Sequence, residues 1–346
     1  MELMVGLAVG LVIVMAGAMV YASNQASSEA ISEQNKMEET TRYLAKLSLS
    51  NFGAAGFFGC QSRSGIIQNN INNPSSFLYN FSQPVFAYEG SSSGILNGPL
   101  PTSLSGASPA PAPKIASDIL VIRSAVGSPI SLDASAPATK PAPGASGSIW
   151  VGANSAIGSK PSNSLAMITN CSKATAFVHT GAACSKLAGC ELLHAAGSAP
   201  SPGNSTSSLG FNYDFDAEIV IPATTSYYVA ESGRCAAQAG SGCPSRSLYR
   251  MVGSSPPEEL AENVQGMKIT LLLDDGAGLG SATQARSPNG VSNWSNVVGI
   301  KAEFLISSSK PILPESRSTT FGGVVFSDKL ARRVVSTIAP LRNSMP

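Results

Sequence analysis

The sequence predicts an α+β protein in which one long N-terminal helix is followed by a mainly antiparallel β head. Three observations lead to this fold class. Residues 3–22 carry no charge and are almost all apolar. The next stretch of about 30 residues turns polar but keeps helical spacing, and from Cys60 onward the pattern changes to short strand-like runs divided by turn residues.

Residues 3–22 form a segment that is long enough to cross a membrane. As a helix they would span about 30 Å, which matches the hydrocarbon core of a bilayer. A secretory signal peptide would carry a basic n-region, whereas the first basic residue of this chain is Lys36. We therefore predict that residues 1–24 form a transmembrane helix.

Glu2 stands directly before the apolar segment. A charge inside a membrane costs about 2.5–3.5 kcal/mol on insertion scales, so a carboxylate retained there is a functional candidate that needs a cationic partner. The alternative is that Glu2 simply lies in the headgroup region. This residue by itself leaves both interpretations open.

Three glycines follow within the apolar segment. Gly6 and Gly10 form a GxxxG pattern, and Gly17 lies further along. Small residues allow helices to approach closely in lipid, where packing drives their association. Because glycine is common in such segments, a helix-packing face and a chance spacing are about equally favoured.

Residues 25–53 continue the helix as an amphipathic segment. Large apolar residues recur at roughly helical spacing, at Ile31, Met37, Leu44, Leu47 and Phe52. Charged residues occupy other faces, at Glu29, Glu33, Lys36, Glu38 and Glu39. We expect the helix to run to about Asn51, to end at Gly53 and Gly56, and to be on the order of 75 Å long.

Residues 54–346 are expected to form the β head. The strand-like runs lie at residues 119–122, 176–179, 218–222, 226–230, 248–252, 266–273, 297–306 and 323–326. Residues 89–114 and 128–147 are rich in Pro, Ala, Ser and Gly and poor in large apolar side chains. We predict that both are long surface loops.

The composition argues against nucleic-acid binding and against an enzyme. Charged residues make up only 12% of the chain and the net charge is +1, so there is no basic surface for nucleic acid. The sequence has no HExxH motif, and its two histidines do not belong to a recognisable acid, base and nucleophile set. We predict no catalytic residues, no cofactor and no metal.

Six cysteines form an even set without a CxxC spacing, at Cys60, Cys171, Cys184, Cys190, Cys235 and Cys243. This pattern favours disulfides in an oxidising compartment. Short spacing favours a pair between Cys184 and Cys190 and another within residues 235–243, which leaves Cys60 for Cys171. Six cysteines allow fifteen pairings, so the assignment is a hypothesis.

A zinc site is the alternative for part of this set. His179, Cys184, Cys190 and His194 have the spacing H-x4-C-x5-C-x3-H, which could supply four ligands. The even number of cysteines and the predicted membrane export favour a disulfide at these positions instead.

Eight segments along the chain resemble those of a known class of protein. The N-terminal run ELMVGLAVGLVIVMAGAMVYASNQ looks like the hydrophobic helix of type IV pilins, in which a lone glutamate stands just inside the processed N-terminus. The later blocks are TRYLAKLSLSNFGAAGFFGC, MITNCSKATAF, YYVAESGRC, SLYRM, ELAENVQGMKI, NWSNVVGIKAEFLISS and RRVVSTIAPLRN. Together these segments resemble the PilW family of type IV pilus minor pilins.

The resemblance implies a pilin-like fold and a structural role. The protein would be held in the inner membrane with its head in the periplasm, and would later join an extracellular pilus. Implied partners are the major pilin, other minor pilins and a large tip adhesin, together with a prepilin peptidase that acts on the full-length precursor. Glu2 would pair with the N-terminal amine of a neighbouring subunit during assembly.

One departure from the family concerns the N-terminus. Family members carry a short basic leader that ends in glycine, and then a few residues before the glutamate. None of these precedes Glu2 here, so we expect the natural start to lie upstream; the alternative is a truncated protein that cannot be processed. Two rival functions remain, a J-type pseudopilin of a type II secretion system and a membrane-anchored periplasmic enzyme or binding module.

Overall fold

The computed structural model consists of one long helix and a β-rich head. The residues that it describes are 2–60, 65–104, 111–114, 116–135, 142–144, 148–152, 155, 157, 163–185, 189–198, 201–236, 245–274 and 282–342. The α+β layout predicted from the sequence, a long N-terminal apolar helix before a mainly antiparallel β domain, is confirmed.

Helix α1 runs over Glu2–Leu47 and continues as a π-helical turn over Ser48–Phe52. Its 46 residues make a rod of about 69 Å at 1.5 Å per residue. No proline interrupts this part of the sequence. The rod ends at two glycines, as predicted: Gly53 caps the π-helical turn, and Gly56 has a φ of 77°, which glycine adopts without steric cost.

Eighteen strands build the head within the described residues. They are β1 (Ile66–Asn69), β2 (Val85–Ser91), β3 (Gly94–Leu96), β4 (Ile119–Ser131), β5 (Ile149–Val151), β6 (Ser164–Thr169), β7 (Lys173–His179), β8 (Gly181–Ser185), β9 (Gly189–Leu193), β10 (Glu218–Glu231), β11 (Arg246–Val252), β12 (Glu258–Glu262), β13 (Val264–Leu273), β14 (Gln284–Arg286), β15 (Val297–Pro311), β16 (Arg317–Phe321), β17 (Val324–Asp328) and β18 (Leu330–Pro340). The short helix α2 (Gly233–Ala236) and two 3-10 turns, Pro288–Gly290 and Trp294–Asn296, lie between them.

The largest sheet is organised around β10. Its strand order is β1-β7-β6-β10-β4-β2-β3, and β11 and β12 extend it from the second half of β10. Among the strand pairs that the structure describes, only that of β1 and β7 is parallel. The 14 residues of β10 are long enough to pair with β6 near their start and with β11 near their end, while β4 runs along β10 for most of its length.

Three smaller sheets complete the head. A four-stranded antiparallel sheet has the order β14-β13-β15-β18, β5-β9-β8 form a three-stranded sheet, and β16 and β17 form a hairpin. The main hydrophobic core lies where the end of α1, the large sheet and the four-stranded sheet meet. Leu44 and Phe52 of the rod, Leu120 of β4 and Phe304 of β15 are all fully buried there.

All eight strand-like runs fall largely within strands, but two of them form one element. Residues 218–222 and 226–230 both belong to β10, because Ala223 and Thr224 between them also pair with β4. Proline at position 222 does not end the strand. Backbone pairing with β4 continues through it, opposite Ala125.

Both predicted loops begin with residues that lie in strands, while residues 105–110, 136–141 and 145–147 of these loops lie outside the described residues. Residues 89–96 form the end of β2 and all of β3, with Gly90 opposite Ile95. Residues 128–131 belong to β4, whose Ile130 pairs with Ile219 of β10. Composition assigned these residues to loops because the segments contain few large apolar side chains. The residues form strands through backbone hydrogen bonds, which do not require such side chains.

A buried ion pair joins the two main sheets. The carboxylate of Asp118, just before β4, accepts hydrogen bonds from Lys268 Nζ (2.8 Å) and from the amides of Gly90 (2.9 Å) and Ile269 (2.7 Å). Burial raises the pKa of Asp118, although these donors act in the opposite direction. The backbone reinforces the joint, because the Asp118 amide donates to the carbonyl of Met267 (2.9 Å).

Asp118→Ala should destabilise the head by about 3 kcal/mol, because it leaves two buried amides and an ammonium group without their acceptor. Asp216→Ala, which removes an exposed carboxylate from a turn, is the matched control and should change the stability by less than about 0.5 kcal/mol. Denaturant unfolding of the full chain in detergent measures both. Equal stabilities for the two variants would contradict the proposed joint.

Candidate functional site

The first half of α1 projects away from the head with its apolar side chains uncovered. Exposure is 78% for Leu3, 72% for Val14 and 72% for Tyr21. The most apolar 18-residue window has a mean hydropathy of 2.6, and none of it is buried within the chain. By length and composition this helix can cross a membrane, and its surface requires lipid or other apolar helices around it.

The three glycines of this segment lie on one side of the helix. At 100° per residue, Gly10 is offset from Gly6 by about 40° and Gly17 by about 20°. A β-carbon added at any of them would meet no atom of the described part of the chain within 4 Å. They form a shallow open stripe on the exposed apolar half of α1.

Glu2 is the first residue of α1. Its side chain lies outside the part of the chain that the structure describes. Its backbone places it at the far end of the rod from the head, directly before the exposed apolar surface.

Glu33 fastens the second half of the helix to the head. It is 2% exposed, and its carboxylate accepts hydrogen bonds from the Ser309 amide (2.6 Å), the Ser309 hydroxyl (2.8 Å) and Lys36 Nζ (2.8 Å). Ser309 lies in β15, 276 residues further along the chain. The sequence pattern placed Glu33 on a face other than the apolar one, and the structure shows that this residue is nevertheless buried against β15.

The hydrogen bonds keep Glu33 ionised. Burial alone would raise the pKa of its carboxyl group, but the donors from Lys36 and Ser309 and the positive charge of Lys36 outweigh it and lower the pKa to about 2. A charged carboxylate with several donors is a strong hydrogen-bonding group. The contact is therefore fully formed at neutral pH.

Two outer ion pairs flank Glu33 on the same helix. Glu29 lies 3.6 Å from Lys310 Nζ of β15, and Glu38 lies 3.0 Å from a guanidinium nitrogen of Arg333 in β18. All four side chains are about half exposed, so each pair contributes at most about 1 kcal/mol. These two pairs therefore orient the helix on the head but contribute little to the stability of its attachment.

Apolar packing secures the end of the rod. Leu44, Leu47 and Phe52 are buried in the main core, and the Phe52 ring stands edge-on to that of Tyr227 at a centroid distance of 5.1 Å. The side-chain Nδ2 of Asn51 donates to the Tyr227 hydroxyl (3.0 Å), which satisfies a partly buried polar group.

The chain that leaves the helix is tied to the head by its backbone and by a disulfide. The amide of Gly56 donates to the carbonyl of Arg123 (2.8 Å), and the amide of Ala125 donates to the carbonyl of Phe57 (2.7 Å). Cys60 then forms a disulfide with Cys171, in the turn between β6 and β7. The end of α1 is thereby fixed to two strand pairs of the large sheet.

The second disulfide joins Cys184 of β8 to Cys190 of β9. The Cys184–Cys190 pair is the one that short spacing favoured, and Cys60–Cys171 is the pair that this assignment left over. Oxidised cysteines cannot serve as the zinc ligands of the alternative site. The third predicted pair falls on Cys235 and Cys243, of which the Cys235 side chain and all of Cys243 lie outside the described residues. In the described part of the chain, no group of three or more His, Cys, Asp or Glu residues could hold a metal ion.

The two histidines occupy separate surroundings. His179 is buried at the end of β7, and burial lowers the pKa of its imidazole. The ring of His194 lies 5.5 Å from that of Phe177. A cavity of about 370 Å³ lies elsewhere, lined in part by Lys114, Glu231 and Tyr249.

The chain was compared with protein-family models, with curated proteins and with solved structures, and none of the three comparisons finds a match.

Glu33→Gln should weaken the attachment of α1 by about 1–3 kcal/mol at neutral pH, because the charge-assisted hydrogen bonds are lost. The folded-state pKa of about 2 lies below the ordinary value of 4.5. The native carboxylate therefore contributes its full stability above pH of about 4.5 and loses it as the pH falls towards 2. Amide exchange across residues 30–40 in the full chain, followed from neutral to acid pH, measures both effects.

Glu39→Gln is the control for this experiment, since Glu39 is an exposed acid on the same helix. It should exchange like the native chain at every pH. An unchanged acid response in the Glu33→Gln chain would show that Glu33 does not hold the helix.

Replacing Cys60 and Cys171 together by alanine should destabilise the chain by about 2–5 kcal/mol, because the bridge closes a loop of 111 residues. The matched control replaces Cys184 and Cys190, which lie 6 residues apart, and should cost about 2 kcal/mol less. Denaturant unfolding under oxidising conditions measures both, and a larger loss for the short loop would contradict the expected order.

Proposed function

We propose that this chain is a structural minor pilin of a type IV pilus, which primes filament assembly and forms part of the pilus tip. The observation that carries the proposal is the division of α1 into two halves. The second half is packed into the head, while the apolar first half is uncovered over an 18-residue window. The PilW-like sequence blocks support the same role.

This division suits a subunit that exchanges one apolar environment for another. Before assembly the uncovered half of α1 lies in the inner membrane, with the head in the periplasm. In the filament the same surface packs against the helices of the major pilin and other minor pilins. The stripe of Gly6, Gly10 and Gly17 permits close helix approach in either environment, because no described residue of this chain occupies it.

Glu2 directs assembly in this proposal. A carboxylate at the membrane-buried tip is costly when it is alone, and the cost is offset when a cation meets it. The cation is the N-terminal amine of a neighbouring subunit. The pairing forms only when subunits join, so it favours the filament over the isolated membrane protein.

A J-type pseudopilin is the second candidate, because a pseudopilin of a type II secretion system has the same layout. The two proposals separate in a strain that lacks this gene. Loss of surface filaments with normal protein secretion supports the minor pilin, and loss of secretion with normal filaments supports the pseudopilin.

Glu2→Ala, introduced into that strain, should give a stable protein in the membrane fraction but few surface filaments, since the pairing group is absent. Electron microscopy counts the filaments, and immunoblots of membrane fractions measure the protein. Glu39→Ala is the control, because it removes an exposed acid from the second half of the same helix. It should restore filaments fully, and normal filament numbers with Glu2→Ala would contradict the pairing role.

A further inference from the structure

Strand β18 forms an open edge of the head. It is the outer strand of the order β14-β13-β15-β18, and it pairs with β15 from Leu330 to Pro340. No other strand of the described chain lies on its far side. The strand is eleven residues long, which is long for an outer strand.

The pairing register shows which backbone groups face outward. The Leu341 amide donates to the carbonyl of Val298 in line with β15. Because an antiparallel ladder uses alternate residues, Val335 and Thr337 bond to β15, while the amides and carbonyls of Val334, Ser336 and Ile338 point away from it. Within the described residues, no group accepts from these three amides.

The open part of β18 ends before Pro340, at its C-terminal side. Pro340 occupies an outward-facing position, where its missing N–H costs no hydrogen bond to β15. Beyond it, the amide of Arg342 donates to the carbonyl of Gly53 (3.1 Å), so the end of the helical rod covers the edge there. The available edge is therefore residues 334–338.

Other outer strands of the two main sheets are short or charged. β14 and β3 have three residues each and β1 has four. β12 reads EELAE, so three of its five residues are acidic. These are the usual devices that prevent an edge from pairing with another chain.

β18 lacks these devices in its middle. Residues 334–339 read VVSTIA, an uncharged run rich in β-branched residues. Val334 is 48% exposed and Ile338 is 55% exposed. Positive charge lies at both ends: Arg333 shares the Glu38 carboxylate with Arg42, and Arg342 follows the strand.

We propose that the open edge of β18 binds an extended segment of a different polypeptide chain as an added β-strand. The hydrogen-bonding groups of residues 334–338 define the bound conformation, and Val334 and Ile338 select apolar side chains at alternate positions. The arginines at the two ends select a segment with a carboxylate at each end. This inference rests on the sheet geometry and on the exposed side chains and charges of β18, and does not depend on a role in pili.

A second copy of this chain fits the edge poorly. β18 runs in the same direction as the helical rod, since Arg333 meets Glu38 and Arg342 meets Gly53. Antiparallel pairing of two copies would point their apolar helices in opposite directions. Parallel pairing in register would place each arginine beside the same arginine of the other copy, which is repulsive.

The test uses the full chain in detergent and a fluorescent nonapeptide of sequence Asp-Thr-Val-Thr-Val-Thr-Val-Thr-Asp as the probe. Fluorescence anisotropy measures binding, and hydrogen exchange resolved to single residues locates it. The amides of Val334, Ser336 and Ile338 should exchange quickly in the free chain and at least about tenfold more slowly with the peptide bound. Val335 and Thr337, already bonded to β15, should change little.

Two control peptides test the chemistry. Replacing the central Val-Thr pair by Pro-Pro removes N–H groups from both peptide edges and should abolish binding. Replacing both terminal aspartates by lysines should weaken binding. Equal binding of either control would overturn the corresponding part of the proposal, the added strand or the charged ends.

Variants of the edge complete the test. Ser336→Pro removes one outward donor without removing a bond to β15, and the double change Val334→Lys with Ile338→Lys puts charge on the edge. Each should weaken peptide binding at least about tenfold. Val325→Lys, at an exposed valine of β17, is the matched control and should bind normally.

Two further results would overturn the proposal. Slow exchange of all three outward amides in the free monomer would mean that the edge is already covered. Protection that rises with protein concentration in the absence of peptide would mean that a second copy is the partner.

Discussion

The two halves of helix α1 differ in how their apolar side chains are covered, and the other contacts of the structure hold the second half in place. Its first half presents only uncovered apolar side chains, whereas its second half buries Leu44, Leu47 and Phe52 in the head. Each of these three contributes about 1.5–3 kcal/mol of burial energy. Because no break separates the halves, whatever surrounds the first half also determines where the head is held.

The head is built to resist movement at the point where the rod enters it. Backbone hydrogen bonds from Gly56 and to Phe57 attach the exit segment to β4, and the Cys60–Cys171 disulfide attaches it to the turn between β6 and β7. Asp118 joins the large sheet to the four-stranded sheet on which α1 lies. A force on the rod is therefore shared by both sheets.

Local patterns in the sequence predicted much of this architecture. Helical spacing and the two glycines located the rod and its end, and short runs of strand-forming residues located parts of seven strands. The contacts of Glu33 and Asp118 were not predictable in this way, because their partners lie 276 and 151 residues away and no periodicity links them. β18 was missed as a strand because its exposed face carries Val334 and Ile338, which hides the usual alternation.

The use of a buried carboxylate for the attachment of α1 has a consequence that apolar packing alone would not have. Apolar contacts are not directional, so they fix the axial position of the helix only through the fit of side-chain shapes. Glu33 adds a directional constraint, since a displacement of one turn, about 5.4 Å, would take its charge away from Ser309 and leave only Lys36, on the same helix, among its described donors. The contact therefore sets the axial position of the rod. Residue 22, the end of the apolar segment, lies eleven residues before Glu33, so the contact with the head lies about 17 Å along the helix from the end of the uncovered apolar segment.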